Sequence, residues 1–270
     1  MPAWIAIANQ KGGVGKTTTA INLAASLAAA DCRLLLIDCD PQGNSSSGLG
    51  LAPDSGQSTL YEVLLGESTP PASIRETAFA GLAVLPSSPD LAGANVELAG
   101  AQDRAKRLQS LRGGFDAEYD FVLLDCPPAL DLLTLNALAA ADSVLIPMHC
   151  EYFALEGISS LLRTMDAVRS ELNPDLAIEG VLLTMYDSRT SLTRQVEAEL
   201  REHFGEQLLE TVIPRNVRLA EAPSHGLPAL RYDVRSKGAA AYLELAREIL
   251  ARARSRNNAT EGQKDFETHS

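Results

Sequence analysis

The chain has 270 residues, of which 46% are hydrophobic and 21% charged, and it carries a net charge of −12. This size and apolar content suit one α/β domain with a substantial core, and the acidic balance excludes nucleic-acid binding over the whole surface. The sequence has no apolar run near the ~20 residues of a membrane span, no secretory signal pattern and no C-x-x-C cysteine pair, so we expect a reducing, cytoplasmic location without disulfides or zinc.

Short apolar runs alternate along the chain with segments of helical periodicity, which predicts a single doubly wound, mostly parallel sheet flanked by helices. Runs of Val, Ile and Leu without polar alternation suit strands that are covered on both faces. We predict strands at 4–8, 33–37, 82–85, 121–124, 143–146, 178–185 and 208–213. We predict helices at 17–30, 60–65, 91–111, 132–141, 155–172, 191–204 and 239–254, in one domain over 1–254 with a disordered polar tail at 255–270.

A glycine-rich turn follows the first predicted strand and leads into the first predicted helix. It reads K-G-G-V-G-K-T-T over 11–18. Glycines let backbone amides converge on phosphate oxygens, and a helix N-terminus adds a positive dipole. Lys16 would neutralise β- and γ-phosphate charge, and the Thr17 hydroxyl would coordinate Mg²⁺. The usual phosphate loop has a glycine where this chain has Gln10, and a second lysine, Lys11, follows it.

Acidic residues follow two other buried strands. The second predicted strand leads into D-C-D-P-Q-G-N at 38–44, and the fourth leads into D-C-P-P at 125–128. Because ligands of an open parallel sheet bind beyond the carboxyl ends of its strands, we expect Asp38, Asp40 and Asp125 to meet at the phosphate loop. Oxygen ligands suit Mg²⁺, and hydrolysis needs an oriented water. The spacing does not decide which of Asp38 and Asp40 handles that water.

With these motifs the chain resembles the ParA/Soj family of chromosome- and plasmid-partitioning ATPases, within the deviant Walker A group that also includes MinD. The resemblance spans residues 3–250. It also draws on E-Y-F-A-L-E-G at 151–157, L-L-T-M-Y-D-S-R-T at 182–190 and P-R-N-V-R-L-A-E-A-P-S-H-G at 214–226. These three segments point to the chromosomal, Soj-like branch.

The resemblance implies a P-loop ATPase that binds ATP and Mg²⁺ between two copies of itself. Lys11 resembles the lysine that crosses to the partner's nucleotide, and Gly12 matches the position where the two backbones approach closely. Asp40 resembles the residue that positions the attacking water, and Asp38 and Asp125 resemble the magnesium-side carboxylates. The implied catalytic residues are Lys11, Lys16 and Asp40, the phosphate and metal ligands include Gly12, Gly13, Val14, Gly15, Lys16, Thr17 and Thr18, and the surroundings of adenine include Met185, Pro214 and Asn216.

A basic segment stands out from the acidic chain, since 211–240 holds five Lys and Arg residues against two acids. The resemblance implies that Arg189 and Arg218 bind double-stranded DNA without sequence preference. Arginine contacts to phosphates give weak, salt-sensitive binding, although surface arginines commonly pair with acids, and Asp187 and Glu221 are close in sequence. The expected neighbours in the DNA-binding patch are Arg215, Arg235 and Lys237.

The resemblance further implies an ATP-dependent homodimer that is cytoplasmic, nucleoid-associated, free of membrane and stimulated by a ParB/Spo0J-like centromere-binding protein. Three alternatives stay open. A MinD-like membrane-positioning ATPase would need an amphipathic anchor, and 263–270 offers only Phe266 among polar residues. An iron–sulfur carrier would need a second cysteine suitably placed with Cys126. Other ParA-like proteins position plasmids or other cargo, and the motifs do not decide the cargo.

Overall fold

The computed structural model of the chain describes residues 2–51, 56–115, 118–150 and 154–267. Within these ranges the strands are β1 Ala3–Ile7, β2 Leu34–Asp38, β3 Arg75–Glu76, β4 Leu82–Leu85, β5 Phe121–Asp125, β6 Ser143–His149, β7 Ala177–Tyr186 and β8 Leu208–Pro214. They form one sheet in the order β3-β4-β2-β5-β1-β6-β7-β8. Only the pairing of β3 with β4 is antiparallel among these strands.

Helices connect the strands and lie on both faces of the sheet. The α-helical segments in the described ranges are α1 Lys16–Ala28, α2 Asn44–Gly48, α3 Leu60–Leu65, α4 Pro70–Ser73, α5 Ala94–Glu97, α6 Arg107–Ser110, α7 Leu132–Ala140, α8 Ala154–Glu171, α9 Ser191–Phe204, α10 Val217–Glu221, α11 Ala229–Tyr232 and α12 Lys237–Glu267. Two separate apolar cores form, one on each face of the sheet, because successive side chains along each central strand point to opposite faces. The predicted α/β fold is therefore confirmed.

All seven predicted strands are present, while the helix predicted at 91–111 is wrong in extent. That region consists of α5 and α6 joined by short 3₁₀ turns. Gly93 and Gly100 interrupt the helical periodicity there, and glycine is among the least favourable residues in a helix interior. The two-residue strand β3 is too short to leave an alternating pattern in the sequence, so it was not predicted.

The last helix runs further than the predicted segment 239–254. It continues to Glu267, and residues 268–270 lie outside the described residues. The extension contains no proline, and adding a residue to a formed helix costs much less than starting one. The guanidinium of Arg256 also makes two hydrogen bonds, of 2.6 and 2.9 Å, to the buried carboxylate of Glu179 on β7. The low hydrophobicity of the segment after residue 254 was therefore not a sufficient reason to end the predicted helix there.

The carboxyl ends of β1, β2 and β5 form the edge of the sheet at which the predicted motifs meet. Asp38 is paired with Asp125 in the parallel register of β2 and β5, and the phosphate loop follows β1 between them and α1. The Thr19 hydroxyl on α1 lies 3.1 Å from the Tyr242 hydroxyl on α12, which ties the first helix to the last. In the described ranges, no helix combines the length and apolar character needed to cross a bilayer.

Two glycines bring the segment after α2 into direct contact with the segment after α10. A Cβ added at Gly226 would lie 2.8 Å from the Gly50 Cα, closer than real Cβ contacts come. Gly226 also has a φ of +67°, which favours glycine. Gly48, at the end of α2, lies under side chains instead, since an added Cβ would lie 2.6 Å from the Ile21 Cδ1 and 3.4 Å from the Pro223 Cβ. The segment after the acidic motif and the segment that bears the basic residues are therefore in backbone contact at Gly50 and Gly226.

Candidate functional site

The phosphate loop has the backbone geometry that an anion site requires. Gly13 and Gly15 have φ values of +74° and +85°, conformations that L side chains rarely adopt. Gly15 is also the N-cap of α1. Because glycine has no side chain, it makes no capping hydrogen bond to the first backbone amides of the helix. Unsatisfied amides at a helix N-terminus attract anions such as phosphate. The loop therefore offers backbone donors where the sequence predicted them.

Lys16 is folded over this loop. Its Nζ donates a 3.2 Å hydrogen bond to the carbonyl of Lys11, and the residue is only 7% exposed. Burial lowers the pKa of Lys16, and the nearby charges of Asp125 and Asp40 oppose that shift. The ammonium group thus lies between the loop and the acids. A phosphate entering the loop would find a cation already placed beside it.

Two cavities meet at the loop. The first has a volume of about 400 Å³ and is lined by Gly12, Gly13, Gly15, Lys16, Thr17, Thr18, Asp40, Gln42, Asn44, Pro128 and Met185. The second has a volume of about 360 Å³ and a mostly apolar lining of Gly15, Thr18, Thr184, Met185, Ile213, Pro214, Arg215, Asn216, Val217, Leu219, Ala220 and Tyr242. Three residues line both cavities, so one ligand with a charged end and a flat apolar end could occupy the two together.

Met185 stands at the junction of the two cavities in a strained conformation. Its φ of +49° is in the left-handed region, which is uncommon for a side chain of this size. The preceding residue fixes the junction, because the Thr184 hydroxyl lies 2.8 Å from the Val14 carbonyl oxygen and 3.0 Å from that of Met148. This contact between β7 and the phosphate loop was not predicted, and a threonine inside an apolar strand was the only sequence signal for it.

The three predicted acids come together beside the loop. Asp38 and Asp125 are fully buried on neighbouring strands, and burial raises the pKa of both carboxyl groups. Asp38 Oδ2 accepts hydrogen bonds from the backbone N and the Oγ of Ser46, at 2.9 and 2.7 Å. Asp125 Oδ2 accepts a 2.5 Å hydrogen bond from Ser45 Oγ. Asp40 is 9% exposed, lines the larger cavity, and accepts the backbone N–H of residue 42 at 2.9 Å.

The donor set fits a magnesium ion that is shared with phosphate. Asp125 Oδ1 is buried and has no hydrogen-bond partner among the residues that the structure describes. The Thr17 hydroxyl is near enough to this carboxyl group to oppose the rise of its pKa. No group of three or more His, Cys, Asp or Glu side chains in the described ranges forms a metal cage by itself. Magnesium typically takes one or two carboxylates together with substrate phosphates and water, so these oxygens suit it.

The predicted DNA-contact residues are exposed, and two of them are paired with acids. Arg189 makes hydrogen bonds of 2.6 and 2.8 Å to Asp187, and this guanidinium lowers the pKa of Asp187 to about 2. Arg218 contacts Glu221 at 2.8 Å and Asp233 at 3.3 Å. The remaining predicted residues of the patch, all exposed, are Arg215, Arg235 and Lys237.

Comparison with known proteins places the chain among others of similar length. A family model described as an AAA domain matches residues 3–178. The chain is 55% identical over 248 residues to the chromosome partitioning protein ParA of Myxococcus xanthus, covering 92% of this chain and 88% of that protein. It is 51% identical over 247 residues to the sporulation initiation inhibitor protein Soj of Bacillus subtilis, covering 92% and 98%.

A solved structure extends the comparison to the fold and the ligand. The structure titled cobyrinic acid a,c-diamide synthase from Mycobacterium smegmatis, with bound ADP and magnesium, superposes with a TM-score of 0.83. It is 39% identical and covers 94% of this chain and 96% of that one. The segment at 151–157 that contributed to the sequence resemblance begins outside the described residues, since 151–153 are not among them.

Proposed function

Because the chain belongs to the ParA/Soj family of chromosome-partitioning ATPases, we propose that it is an ATP-dependent switch in DNA segregation. Two ATP-bound copies form a sandwich dimer, the dimer holds nucleoid DNA through phosphate contacts, and hydrolysis to ADP and phosphate releases it. The observation that carries this proposal is the pair of joined cavities at the phosphate loop, together with the open position of Gly12 in the lining of one of them.

In this proposal each residue of the site has one task. The backbone of the loop and the ammonium group of Lys16 hold the phosphates, and the apolar cavity beside Met185 takes the adenine. Thr17, Asp38 and Asp125 would hold Mg²⁺, which would supply positive charge to the phosphates when bound. Asp40 holds the attacking water in line with the terminal phosphate.

Lys11 supplies the contact between subunits. Its backbone N–H donates to the Asn9 side chain at 3.0 Å, and the Asn9 amide in turn donates to the Pro147 carbonyl at 2.8 Å. These bonds fix the loop from which the Lys11 side chain extends. A lysine crossing to the partner's phosphates would make ATP part of the dimer interface, and neutralising phosphate charge there would assist hydrolysis.

The experiment that tests the switch is sedimentation velocity with a non-hydrolysable ATP analogue and Mg²⁺. We expect the wild-type chain to sediment as a dimer with the analogue and as a monomer with ADP. Lys11→Ala should bind the analogue but stay monomeric, whereas Lys16→Ala should lose the analogue altogether. A wild-type chain that stays monomeric when saturated with the analogue would refute the proposal.

DNA binding is the second part of the proposal and has its own measurement. Two copies of the basic patch on one dimer face roughly double the number of phosphate contacts, which raises both affinity and its dependence on salt. Fluorescence anisotropy with unrelated duplexes should give equal affinities for each sequence, with tighter binding in the ATP-analogue state. Arg189→Ala and Arg218→Ala should weaken binding without affecting dimerisation. Equal DNA affinity with and without the analogue would contradict this part.

The proposed partner is a ParB/Spo0J-like centromere-binding protein that raises the slow intrinsic ATPase rate by completing the order of the Asp40 site. Chromosomal DNA is the proposed cargo, and the nucleoid is the proposed location. The measurement is phosphate release with and without such a partner in the presence of DNA. Asp40→Ala should remain a DNA-bound dimer and show no stimulation.

Liposome flotation with ATP should recover no protein, which separates this function from MinD-like membrane positioning.

A further inference from the structure

Three consecutive serines follow Asn44, the first residue of α2, and two of them turn inward. Ser45 is fully buried and Ser46 is 4% exposed, whereas Ser47 is exposed and its Oγ lies 3.4 Å from the Asn44 carbonyl. The two buried hydroxyls contact acids on different strands, Ser45 reaching Asp125 and Ser46 reaching Asp38. The helix thus lies across the ends of β2 and β5 with one hydroxyl for each acid.

These hydroxyls do not cap their own helix. The N-cap of α2 is Gly43, whose φ is +63°, and no side chain within the described residues caps it. Ser46 Oγ accepts a 3.1 Å hydrogen bond from the backbone N–H of Ser87, so its own proton is directed to Asp38. The 2.5 Å distance from Ser45 Oγ to Asp125 Oδ2 is in the range typical of a hydroxyl bound to a carboxylate. Both contacts therefore orient carboxyl groups.

The orientation decides which oxygen each carboxyl group presents. Ser45 engages Oδ2 of Asp125, and the opposite oxygen, Oδ1, is the buried one that lacks a hydrogen-bond partner among the described residues. Without the hydroxyl, Asp125 could rotate about its terminal torsion, which is soft in carboxylates. We propose that Ser45 is a positioning residue for magnesium, holding Asp125 so that Oδ1 faces the ion or its water. Ser46 has a lesser part in orienting Asp38, whose Oδ1 also accepts the backbone N–H of Asp40 at 3.3 Å.

This inference rests on the proposed Mg²⁺–nucleotide site, and its test measures metal binding rather than turnover. The probe is Mn²⁺, which shares the preference of Mg²⁺ for oxygen ligands and is counted by its electron paramagnetic resonance signal. Mn²⁺ is titrated into the full chain saturated with ADP. ADP affinity is measured separately in EDTA.

Ser45→Ala should lower Mn²⁺ affinity by about 10-fold or more, the usual effect of removing a hydrogen-bond partner of a metal ligand. Its ADP affinity in EDTA should equal that of the wild type. Ser46→Ala should lose less Mn²⁺ affinity, because the backbone N–H of residue 46 still holds Asp38. Ser47→Ala is the matched control on the same helix and should change neither value.

Two outcomes overturn the inference. Wild-type Mn²⁺ affinity in Ser45→Ala would show that Asp125 needs no such support, and loss of ADP affinity in EDTA would show that Ser45 only supports the fold. Should Ser45→Ala not fold, Ser45→Cys keeps the side-chain shape with a somewhat larger atom and a weaker donor, and unchanged Mn²⁺ affinity there also overturns the inference. A wild-type chain whose ADP binding ignores Mn²⁺ would instead contradict the proposed metal site itself.

Discussion

At the scale of single residues, Asp38 and Asp125 are buried carboxyl groups whose negative charge is costly when no cation is bound. Burial is the largest cause of the raised pKa of Asp125, and the charge of Asp38 adds to it, while the hydrogen bond from Ser45 and the nearby Thr17 hydroxyl oppose it. An acid whose pKa is raised by folding holds its proton more tightly in the folded state than in the unfolded chain. The nucleotide-free protein should therefore lose stability as the pH rises from the ordinary carboxyl range through the raised pKa.

Asp125→Asn tests this cost. The substitution removes the ionisable group, so it should raise the melting temperature of the metal-free, nucleotide-free protein more at pH 8 than at pH 5, where Asp125 already carries a proton. Thermal unfolding in EDTA at both pH values measures the difference. The same substitution at the exposed Asp90 is the control and should show no such pH dependence. Equal effects of Asp125→Asn at the two pH values would contradict the assignment.

Single residues also mark the limit of what the sequence could predict here. Lys16, Asp38 and Asp125 follow strands and are typical of a nucleotide site, so their convergence was expected from the rule for parallel sheets. Ser45 and Ser46 stand in a run of Gly, Asn and Ser, which is typical of a loop and does not indicate which hydroxyl points inward. Ser45 contacts an acid 80 positions away in the sequence and Ser46 contacts one 8 positions away. Tertiary packing makes these pairs, and sequence periodicity does not predict them.

At the scale of elements, α12 is held to the sheet by an ion pair between the partly exposed Arg256 and the buried Glu179. The carboxylate of Glu179 is inaccessible to solvent and accepts hydrogen bonds from Arg256 and from Ser143 Oγ at 2.7 Å. The predicted end of this helix was too early because the apolar positions that define its periodicity stop before Arg256. An ion pair made by a single residue of the helix adds nothing to the periodic pattern of apolar residues from which a helix is predicted.

Arg256→Ala should lower the free energy of unfolding by about 2 kcal/mol, because Glu179 would keep a buried charge with one fewer partner, discounted for the partial exposure of Arg256. Urea denaturation measures the loss. Adding Glu179→Gln to Arg256→Ala should recover part of it, since the buried charge is then gone. The exposed Arg254→Ala is the control on the same helix and should be close to neutral. A neutral Arg256→Ala would mean that the helix end is held by other contacts.

The contact between Gly50 and Gly226 provides a second element-scale prediction. Gly226→Ala places a methyl group 2.8 Å from the Gly50 Cα in a residue with left-handed backbone, and backbone strain of this kind costs about 1–3 kcal/mol. We therefore expect a clear drop in urea stability. Gly113→Ala is the matched control, because a Cβ there meets nothing within 4 Å and its backbone is unstrained. Equal stability of the two variants would contradict the close approach.

At the scale of the whole molecule, the phosphate loop is the surface on which a second copy is proposed to close. Within its own chain, a Cβ at Gly12 would meet nothing within 4 Å. Gly12→Val should therefore leave the monomer fold and ATP binding intact and should act only where another backbone approaches. Sedimentation velocity with the ATP analogue should give a monomer. Calorimetry should give Gly12→Val an affinity for the analogue close to that of Lys11→Ala, which is also expected to bind it as a monomer. A dimer formed by Gly12→Val would contradict the proposed geometry.

The joint at Gly50 and Gly226 has one more consequence for the molecule. Two main chains that touch without side chains between them leave little room for adjustment, so a shift of the segment after the acids towards its neighbour would push that neighbour. Side chains on α1 tie down the same neighbour, since the Asn22 carboxamide oxygen accepts the backbone N–H of Ala229 at 2.8 Å. We therefore expect a rearrangement of the segment after the acids to displace the segment that bears Arg218 and Arg231.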